Sequence, residues 1–247
     1  MADSVARIRP YTRRDDKPVR FTLAKACMEP LAIANHRACT HPMVLALWLA
    51  LASAFVEYMK WWPNGGLGLL GYLRPLPLFA STAVPIMFFM DWINRPYFEE
   101  SVQVMLREPD IKDLAGYYGK GSSSGLWILE YGNIFVGVIA LDGGTTAPGS
   151  KSEKPKKTGF IRHFYIDEPY RKSGIQTDLL EYALEHGFKA GLESIEVIDT
   201  PLLSYQRDCL RTAGFRLVDY AKVVGILRWK TALRSLDKDA WLKRDKK

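Results

Sequence analysis

The sequence contains little cysteine, and its cysteines have no pattern that would bind a metal or form a redox pair. Cys27, Cys39 and Cys209 include no CxxC pair and fit no zinc-site spacing. An Asn-x-Ser/Thr glycosylation acceptor is also absent. Both absences are typical of a domain that faces a reducing compartment such as the cytosol, and we expect no bound metal. The N-terminus has no apolar segment, so no cleaved signal peptide is predicted.

The charge distribution argues against a nucleic-acid-binding protein. The formal net charge is +7, but nucleic-acid binding needs a basic face or stripe. Here the basic residues concentrate in residues 1–42 and in the C-terminal tail, so we expect no nucleic-acid partner. A solvated basic surface and segments held at an anionic membrane are both compatible with this distribution.

Two long apolar runs interrupt the sequence, at residues 43–59 and 75–92, and a connector rich in Pro and Gly joins them. Each run is about long enough to cross a bilayer core of ~30 Å, which predicts a two-span membrane hairpin over residues 43–92. A re-entrant membrane hairpin and a buried soluble hairpin are the alternatives. Residues 1–42 hold more Lys and Arg than the connector does, so the positive-inside rule places both ends of the hairpin in the cytosol.

The remaining sequence has the patterns of a mixed α/β domain. It divides into an N-terminal strand and helix within residues 1–42, the rest of the domain over 93–230, and a basic tail with helical spacing over 231–247. Strands are predicted over Leu126–Tyr131, Ile134–Leu141 (after a Gly132-Asn133 turn), Gly159–Ile166, Ser194–Asp199, Phe215–Tyr220 and Val223–Trp229. Helices are predicted over Tyr97–Tyr118 with a break at Pro109, over Ile175–Phe188, and from a Thr200 cap with Pro201 to Gly214; Asp142–Lys157 is predicted as a loop.

The most informative stretch is the strand, turn and helix over residues 164–188. A helix begins just after Gly174, and the backbone N–H groups of a helix N-terminus attract an anion. Gly174 allows the backbone to approach a ligand closely, while Arg171 and Lys172 add positive charge. These features predict a site for a phosphate or pyrophosphate group.

The motif Arg171-x-x-Gly174-x-Gln176 resembles the acyl-CoA signature of the GNAT superfamily of N-acetyltransferases. Ala213-Gly214-Phe215 and the front segment Ile8-Arg9-Pro10-Tyr11 also fit that superfamily. The hairpin inserted after the first helix, followed by Arg95-Pro96-Tyr97-Phe98, resembles the membrane-anchored camello, or N-acetyltransferase-eight-like, family of the endoplasmic reticulum. The likeness spans about residues 6–229.

The resemblance implies a GNAT fold, which is an α/β fold with a mixed, mostly antiparallel sheet and flanking helices, here with the transmembrane hairpin added. It implies that acetyl-CoA is the co-substrate and that an amine of a small molecule or a protein lysine attacks the thioester directly. It implies an integral membrane protein whose GNAT domain faces the cytosol. In this reading Phe164, Tyr165 and Ile166 pair with the pantetheine arm, and the pyrophosphate is held by Arg171, Lys172, Ser173, Gly174, Ile175 and Gln176.

Two positions depart from the family pattern. Gln176 stands where the family has Gly or Ala, and Leu210 stands where many members have a tyrosine that acts as general acid. His163 and Asp167 are candidate bases and Tyr205 is a candidate acid, each with a purely structural role as its alternative. These departures leave a second hypothesis, in which a degenerate GNAT-fold membrane protein acts as a non-enzymatic escort or binding factor.

Overall fold

The centre of the fold is one mixed sheet. The computed structural model describes residues 6–64, 66, 68–132, 134–144 and 157–244. Its strands, β1 to β7 in chain order, are Ala6–Pro10, Gly125–Tyr131, Ile134–Asp142, Thr158–Ile166, Ser194–Asp199, Arg216–Val224 and Trp229–Asp237. They are arranged in the order β1-β2-β3-β4-β5-β7-β6. The β4–β5 pair is parallel and the other pairs are antiparallel, so the predicted mixed, mostly antiparallel sheet is confirmed.

Helices flank the sheet and also form the inserted segment. In the described residues, α1 to α9 are Asp16–Cys39, Pro42–Met59, Leu69–Tyr72, Leu76–Arg107, Pro109–Lys112, Leu114–Tyr118, Ile175–Lys189, Ser204–Thr212 and Lys238–Arg244. Short 3-10 turns lie at Arg13–Asp15 and Glu168–Ser173. The predicted turn residue Asn133, most of the predicted loop and the last three residues of the tail lie outside the described residues.

The chain divides into two compact units. The first holds residues 1–27, 101–224 and 228–247, and the second holds residues 28–100 and 225–227. The sheet and the predicted phosphate-binding turn belong to the first unit, and the predicted hairpin belongs to the second.

In the first unit, each face of the sheet has its own hydrophobic core. On one face, Ile161 and Phe164 of β4 pack with residues such as Leu180 of α7. On the other face, Tyr165 packs with residues such as Leu114 of α6. Neighbouring residues of a strand point to opposite faces, so β4 contributes to both cores.

In the second unit, the segments Pro42–Met59 and Leu70–Arg107 are long and apolar enough to cross a membrane, judged by length and composition. The Trp48 indole of α2 donates a hydrogen bond to the Phe79 carbonyl of α4 at 3.1 Å. The predicted break at Pro109 is confirmed, because α4 ends at Arg107. The prediction of a separate helix beginning near Tyr97 is wrong, because α4 continues unbroken from the second apolar run through Pro96.

Predictions for the C-terminal strands are partly wrong. The strand predicted over 223–229 is instead the end of β6, a turn and the first residue of β7. The residues predicted as the start of a helical tail form β7, which lies between β5 and β6. Ala232, Leu233 and Leu236 are buried. Their spacing resembles that of a helix, but successive residues of a strand buried on both faces produce the same spacing.

The start of α8 is also later than predicted. Thr200 and Pro201 lie in a turn, where the Thr200 hydroxyl accepts a hydrogen bond from the Leu202 N–H at 3.3 Å, and the helix begins at Ser204. Gly214, with φ of 92°, follows the helix as predicted.

Candidate active site

A gap opens between β4 and β5 in the middle of the sheet. The two strands pair only over Thr158–Ile161 and Ser194–Val197. Beyond this point β4 continues to Ile166 and β5 continues to Asp199. The strands therefore separate, and the second half of β4 has a free edge toward β5, with no strand of the described residues paired to it.

The backbone of Phe164 and Ile166 faces this gap. The Asp167 N–H donates to the Val136 carbonyl of β3 at 2.8 Å, so over residues 163–167 the odd positions bond to β3 and the even positions face away from it. Two side chains reach the exposed edge. The Gln206 amide lies 3.4 Å from the Phe164 carbonyl, and Arg171 Nε donates to the Ile166 carbonyl at 2.9 Å. The gap is thus bounded by β4 on one side and by α8 and the turn after β4 on the other.

The turn after β4 leads into the N-terminus of α7. Gly174 has φ of 81°, a conformation that favours glycine, and α7 begins at Ile175; as its N-cap residue, Gly174 supplies no side chain to cap the first turn. A Cβ placed on Gly174 would have no atom of the described residues within 4 Å. Lys172 and Ser173 are exposed. The uncapped N-terminus of this 15-residue helix therefore has both the open space and the dipole that a phosphate needs.

Arg171 is held in place by aromatic rings. Its guanidinium lies 4.0 Å from the centroid of the Tyr205 ring and 5.5 Å from that of Tyr165. Together with its bond to the Ile166 carbonyl, these contacts fix the guanidinium at the end of the gap. The structure thus brings Tyr205, which the sequence suggests as an acid, next to Arg171. Its role as an acid stays a prediction.

Ile175 and Gln176, the last two residues of the motif, have different surroundings. Ile175 packs against the core under α7. Gln176 is half-buried, and its carbonyl oxygen Oε1 is buried without a hydrogen-bond partner among the described residues. An amide oxygen only accepts hydrogen bonds, so Gln176 Oε1 can bond only to a donor group.

Asp167, one of the predicted bases, is already engaged. Its carboxylate accepts from Lys25 Nζ at 2.7 Å and from the Tyr165 hydroxyl at 3.2 Å. The bond from Lys25 holds the pKa of Asp167 below its usual value. A carboxylate with a lowered pKa is a weak proton acceptor, so this arrangement favours the structural interpretation of Asp167.

His163, the other predicted base, belongs to a polar cluster on the face of the sheet opposite α7. The register of β3 and β4 shifts at this point, with Arg162 as the extra residue. A bulge of this kind directs two successive side chains to the same face. Arg162 Nε donates to Asp142 Oδ2 at 2.8 Å, and its Nη1 donates to Glu108 Oε2 at 3.3 Å. His163 Nε2 lies 2.8 Å from Asp110 Oδ2.

Two tyrosines complete this cluster. The Tyr118 hydroxyl donates to Asp110 at 2.7 Å, and the Tyr117 hydroxyl donates to Asp142 at 2.6 Å. Hydrogen bonds from His163 and Tyr118 keep the pKa of Asp110 below its usual value although burial opposes this. Sequence analysis did not find Glu108, Asp110 and Asp142, because they lie far from His163 in the chain.

Three side chains of this cluster lie close enough together to bind one metal ion. Ligand-type atoms of Glu108, Asp110 and His163 all lie within 4.8 Å of one another. However, the Arg162 guanidinium already places a positive charge among these carboxylates. We therefore interpret the group as an ion-pair network, and the absence of a metal stays a prediction.

Leu210, which stands at the position of the family's general acid, faces the protein core. Leu210 is fully buried and packs in the cluster beneath α7, with Cys209 beside it. Burial raises the pKa of the Cys209 thiol to about 11. A tyrosine at position 210 would therefore point into the core and not toward the gap.

A separate cavity lies beside the end of β1 and the start of β2. It has a volume of about 540 Å³ and is bounded in part by Tyr11, Trp127 and His186. None of the described residues that line it belongs to β4, β5 or α8. This cavity is therefore not part of the gap between β4 and β5.

The chain matches the model of a known protein family. The model of the acetyltransferase (GNAT) family matches residues 86–215, which is more than half of the chain. No curated protein matches the sequence. Similar solved structures include a GNAT-family acetyltransferase from Streptococcus pneumoniae, with 11% identity, a TM-score of 0.49, and coverage of 94% of this chain and 99% of that one.

Two further similar structures cover a smaller share of this chain. An IAA acetyltransferase from Bacillus cereus has 19% identity and a TM-score of 0.38, covering 54% of this chain and 88% of that one. A GNAT-family acetyltransferase from Elizabethkingia anophelis, solved with acetyl-CoA bound, has 17% identity and a TM-score of 0.38, covering 53% and 86%. At these scores the structural likenesses carry no argument, and the family assignment depends on the family model.

The open helix N-terminus behind Gly174 lies where the resemblance to the GNAT superfamily implies a pyrophosphate site. The chain belongs to the GNAT acetyltransferase family. It is an acyl-CoA N-acyltransferase, and acetyl-CoA is its co-substrate.

Proposed function

We propose that the protein is a membrane-anchored N-acetyltransferase of the camello type that transfers acetyl from acetyl-CoA to an amine of a small molecule or of a protein lysine. The GNAT domain faces the cytosol and the membrane is that of the endoplasmic reticulum. The observation that carries the transferase part is the free edge of β4 leading to the open N-terminus of α7 behind Gly174.

Acetyl-CoA supplies an activated acyl group as a thioester. The residues of this chain bind and orient it. The N–H groups at the start of α7 and the charges of Arg171 and Lys172 hold the pyrophosphate. The backbone of Phe164 and Ile166 lies along the gap where an extended pantetheine arm can form strand-like hydrogen bonds. Holding the thioester in one place makes direct attack by an amine effectively intramolecular.

The membrane part of the proposal is supported by exposed apolar side chains in the second unit. In α2 only Ala52 and Val56 are buried, and only 11% of each candidate span is buried. A core helix of a soluble protein would bury far more of its surface. Large apolar residues are exposed throughout both helices, including Leu47, Phe55, Val84, Met87, Phe88 and Phe89. A surface of this kind needs lipid or another protein to cover it.

Polar groups of the second unit are largely satisfied inside it, as a hydrocarbon environment requires. The hydroxyls of Ser81 and Thr82 donate to the Leu78 carbonyl at 2.9 and 3.1 Å. Asn94, which is fully buried, donates to Asn35 at 2.9 Å. The 18 residues of α2 extend about 27 Å at 1.5 Å per residue, close to the ~30 Å of a bilayer core.

Calorimetry with coenzyme A tests the transferase site. The full chain in detergent micelles is expected to bind coenzyme A. A purified, folded chain that shows no heat of binding would contradict the proposal and would favour the non-enzymatic escort hypothesis.

Glycosylation mapping tests the membrane topology. An Asn-x-Thr acceptor inserted between Trp62 and Gly71 is expected to be glycosylated in microsomes, because the two-span hairpin places the connector in the lumen. The same acceptor inserted near the C-terminus serves as the control and is expected to remain unmodified. An unmodified connector with resistance to alkaline carbonate extraction indicates the re-entrant hairpin, and release by carbonate indicates the soluble hairpin.

A further inference from the structure

The polar cluster on the face opposite α7 adjoins the point at which β4 and β5 separate. Pairing with β5 ends at Ile161, and Arg162 is the next residue. The turn that holds the pyrophosphate lies beyond Ile166, four residues, or about 13 Å, farther along β4. An arm that enters at the turn and follows β4 inward therefore ends near Arg162.

The two faces of the sheet offer different approaches to this point. α7 and its N-terminus belong to the face where Phe164 packs. The cluster of Glu108, Asp110 and His163 belongs to the other face, which Tyr165 shares. A second substrate can therefore reach the thioester from the cluster side without displacing the phosphate-binding turn.

Within the cluster, Glu108 is the side chain that a substrate can contact most easily. Its side chain is 36% exposed, compared with 10% for His163 and 0% for Asp110. Asp110 is also held by two donors, His163 and Tyr118, while its Oδ1 is buried without a hydrogen-bond partner among the described residues. Asp110 therefore maintains negative charge beneath Glu108 without itself being accessible.

We infer that Glu108 is the general base of the transfer and that the acceptor is an amine that arrives as an ammonium ion. The inference rests on the proposed acetyltransferase function. The negatively charged cluster attracts the ammonium group, and the Glu108 carboxylate accepts one of its protons. Arg162 Nη1 donates to Glu108 Oε2 at 3.3 Å and so holds the carboxylate in place.

The step balances in atoms and charge. The ammonium loses one proton to Glu108, and the freed lone pair of nitrogen forms the C–N bond to the thioester carbonyl carbon. The C–S bond breaks, and its electron pair leaves on sulfur. The second proton lost by nitrogen passes to the thiolate, directly or through water, and Glu108 releases its own proton to solvent. The products are an amide, free coenzyme A and one proton.

The surroundings of Glu108 make it a stronger base than an ordinary glutamate. Burial, followed by the charge of Asp110, raises the pKa of Glu108, while Arg162 and His163 oppose this rise. From α1, Cys27 lies within electrostatic range of Glu108, and burial raises the pKa of its thiol to about 11, so it remains neutral. A carboxylate with a raised pKa is a stronger proton acceptor than an ordinary surface glutamate.

The test compares Glu108→Gln with a control variant, Glu185→Gln. Glu185 is an exposed glutamate of α7 that pairs with Lys189. Acetyl transfer is measured in the full chain as amine-dependent release of coenzyme A thiol, with phenethylamine, alanine amide and Nα-acetyl-lysine amide as probes, from pH 5 to 10. We expect Glu108→Gln to lower kcat by about 100-fold or more and to remove the acidic limb of the pH profile. Glu108→Asp should retain that limb at an intermediate rate, and Glu185→Gln should behave as the unmodified chain.

Coenzyme A affinity separates this inference from the proposed function. Both glutamine variants are expected to bind coenzyme A as the unmodified chain does, which also shows that they are folded. An unmodified chain that fails to bind coenzyme A contradicts the proposed function. If it binds coenzyme A but transfers acetyl to none of the three probes, both the proposed function and the assignment of Glu108 are overturned. If it transfers acetyl and Glu108→Gln keeps its rate and its acidic limb, only the assignment of Glu108 is overturned.

Discussion

Replacing Gly174 by alanine tests the phosphate-binding turn directly. Gly174 has φ of 81°, and no atom of the described residues would lie within 4 Å of an added Cβ. The methyl group would therefore clash with nothing in the described part of the chain, and it would occupy the open space in front of α7. Gly191, just beyond the other end of α7, has φ of 94° and the same open surroundings. Gly191→Ala is thus a matched control for the backbone strain.

The expected magnitudes follow from these two environments. A non-glycine residue in the left-handed region costs about 1 kcal/mol, which lowers the melting temperature by about 2–4 °C in a chain of this size. Both variants should show this loss. Only Gly174→Ala should also weaken coenzyme A binding, because the methyl group pushes the phosphate away from the helix N–H groups. Losing one charge-assisted hydrogen bond of about 1.5–3 kcal/mol weakens binding about 10- to 100-fold.

The assay is calorimetric titration of coenzyme A into each variant, with thermal unfolding followed in parallel. Equal affinity in both variants and in the unmodified chain would refute the assignment of this turn. An equal loss of affinity in both variants would show that general destabilisation is responsible and not contact with the phosphate.

Three other substitutions give distinct outcomes. Arg171→Lys keeps the charge but loses the planar stacking on Tyr205, so we expect about fivefold weaker coenzyme A binding by calorimetry; unchanged affinity would show that charge alone matters. Two hydrogen bonds from Arg9 lower the pKa of Asp15 to about 2. The stability that the Asp15 carboxylate gives the fold is therefore complete above the pKa that Asp15 has in the unfolded chain, and it is lost as the pH falls from about 4 to about 2. Asp15→Asn should lower the free energy of unfolding at pH 7 by about 2 kcal/mol and weaken the acid dependence measured by urea denaturation, and an unaltered acid dependence would contradict this. Leu210→Tyr should destabilise the core by about 1–3 kcal/mol without raising turnover, so a faster variant would disprove the inward orientation of this position.

Local sequence was sufficient where neighbouring residues decide the structure. The turn before α7 depends on Gly174 and on a polar segment between an apolar strand and an amphipathic helix, all within a few residues. The apolar helices of the second unit could likewise be predicted from composition and length. Whether those helices cross a membrane stays a prediction.

Patterns that depend on what covers an element were interpreted less well. β7 has apolar residues on both faces, and its spacing imitates a helix unless one knows that helices and strands cover both sides of the sheet. α4 continues through Pro96, although proline usually marks the end of a helix.

The sequence by itself determined the class of this protein: a glycine-containing anion turn between a strand and a helix, within an α/β domain that carries an apolar insertion. Only the tertiary structure decided which groups lie beside the gap in the sheet. Asp110 and His163 are 53 residues apart, and they meet because a bulge in β4 turns Arg162 and His163 toward the face that α5 and α6 cover. Side-chain convergence of this kind depends on strand register and helix packing, which no local pattern of residues encodes.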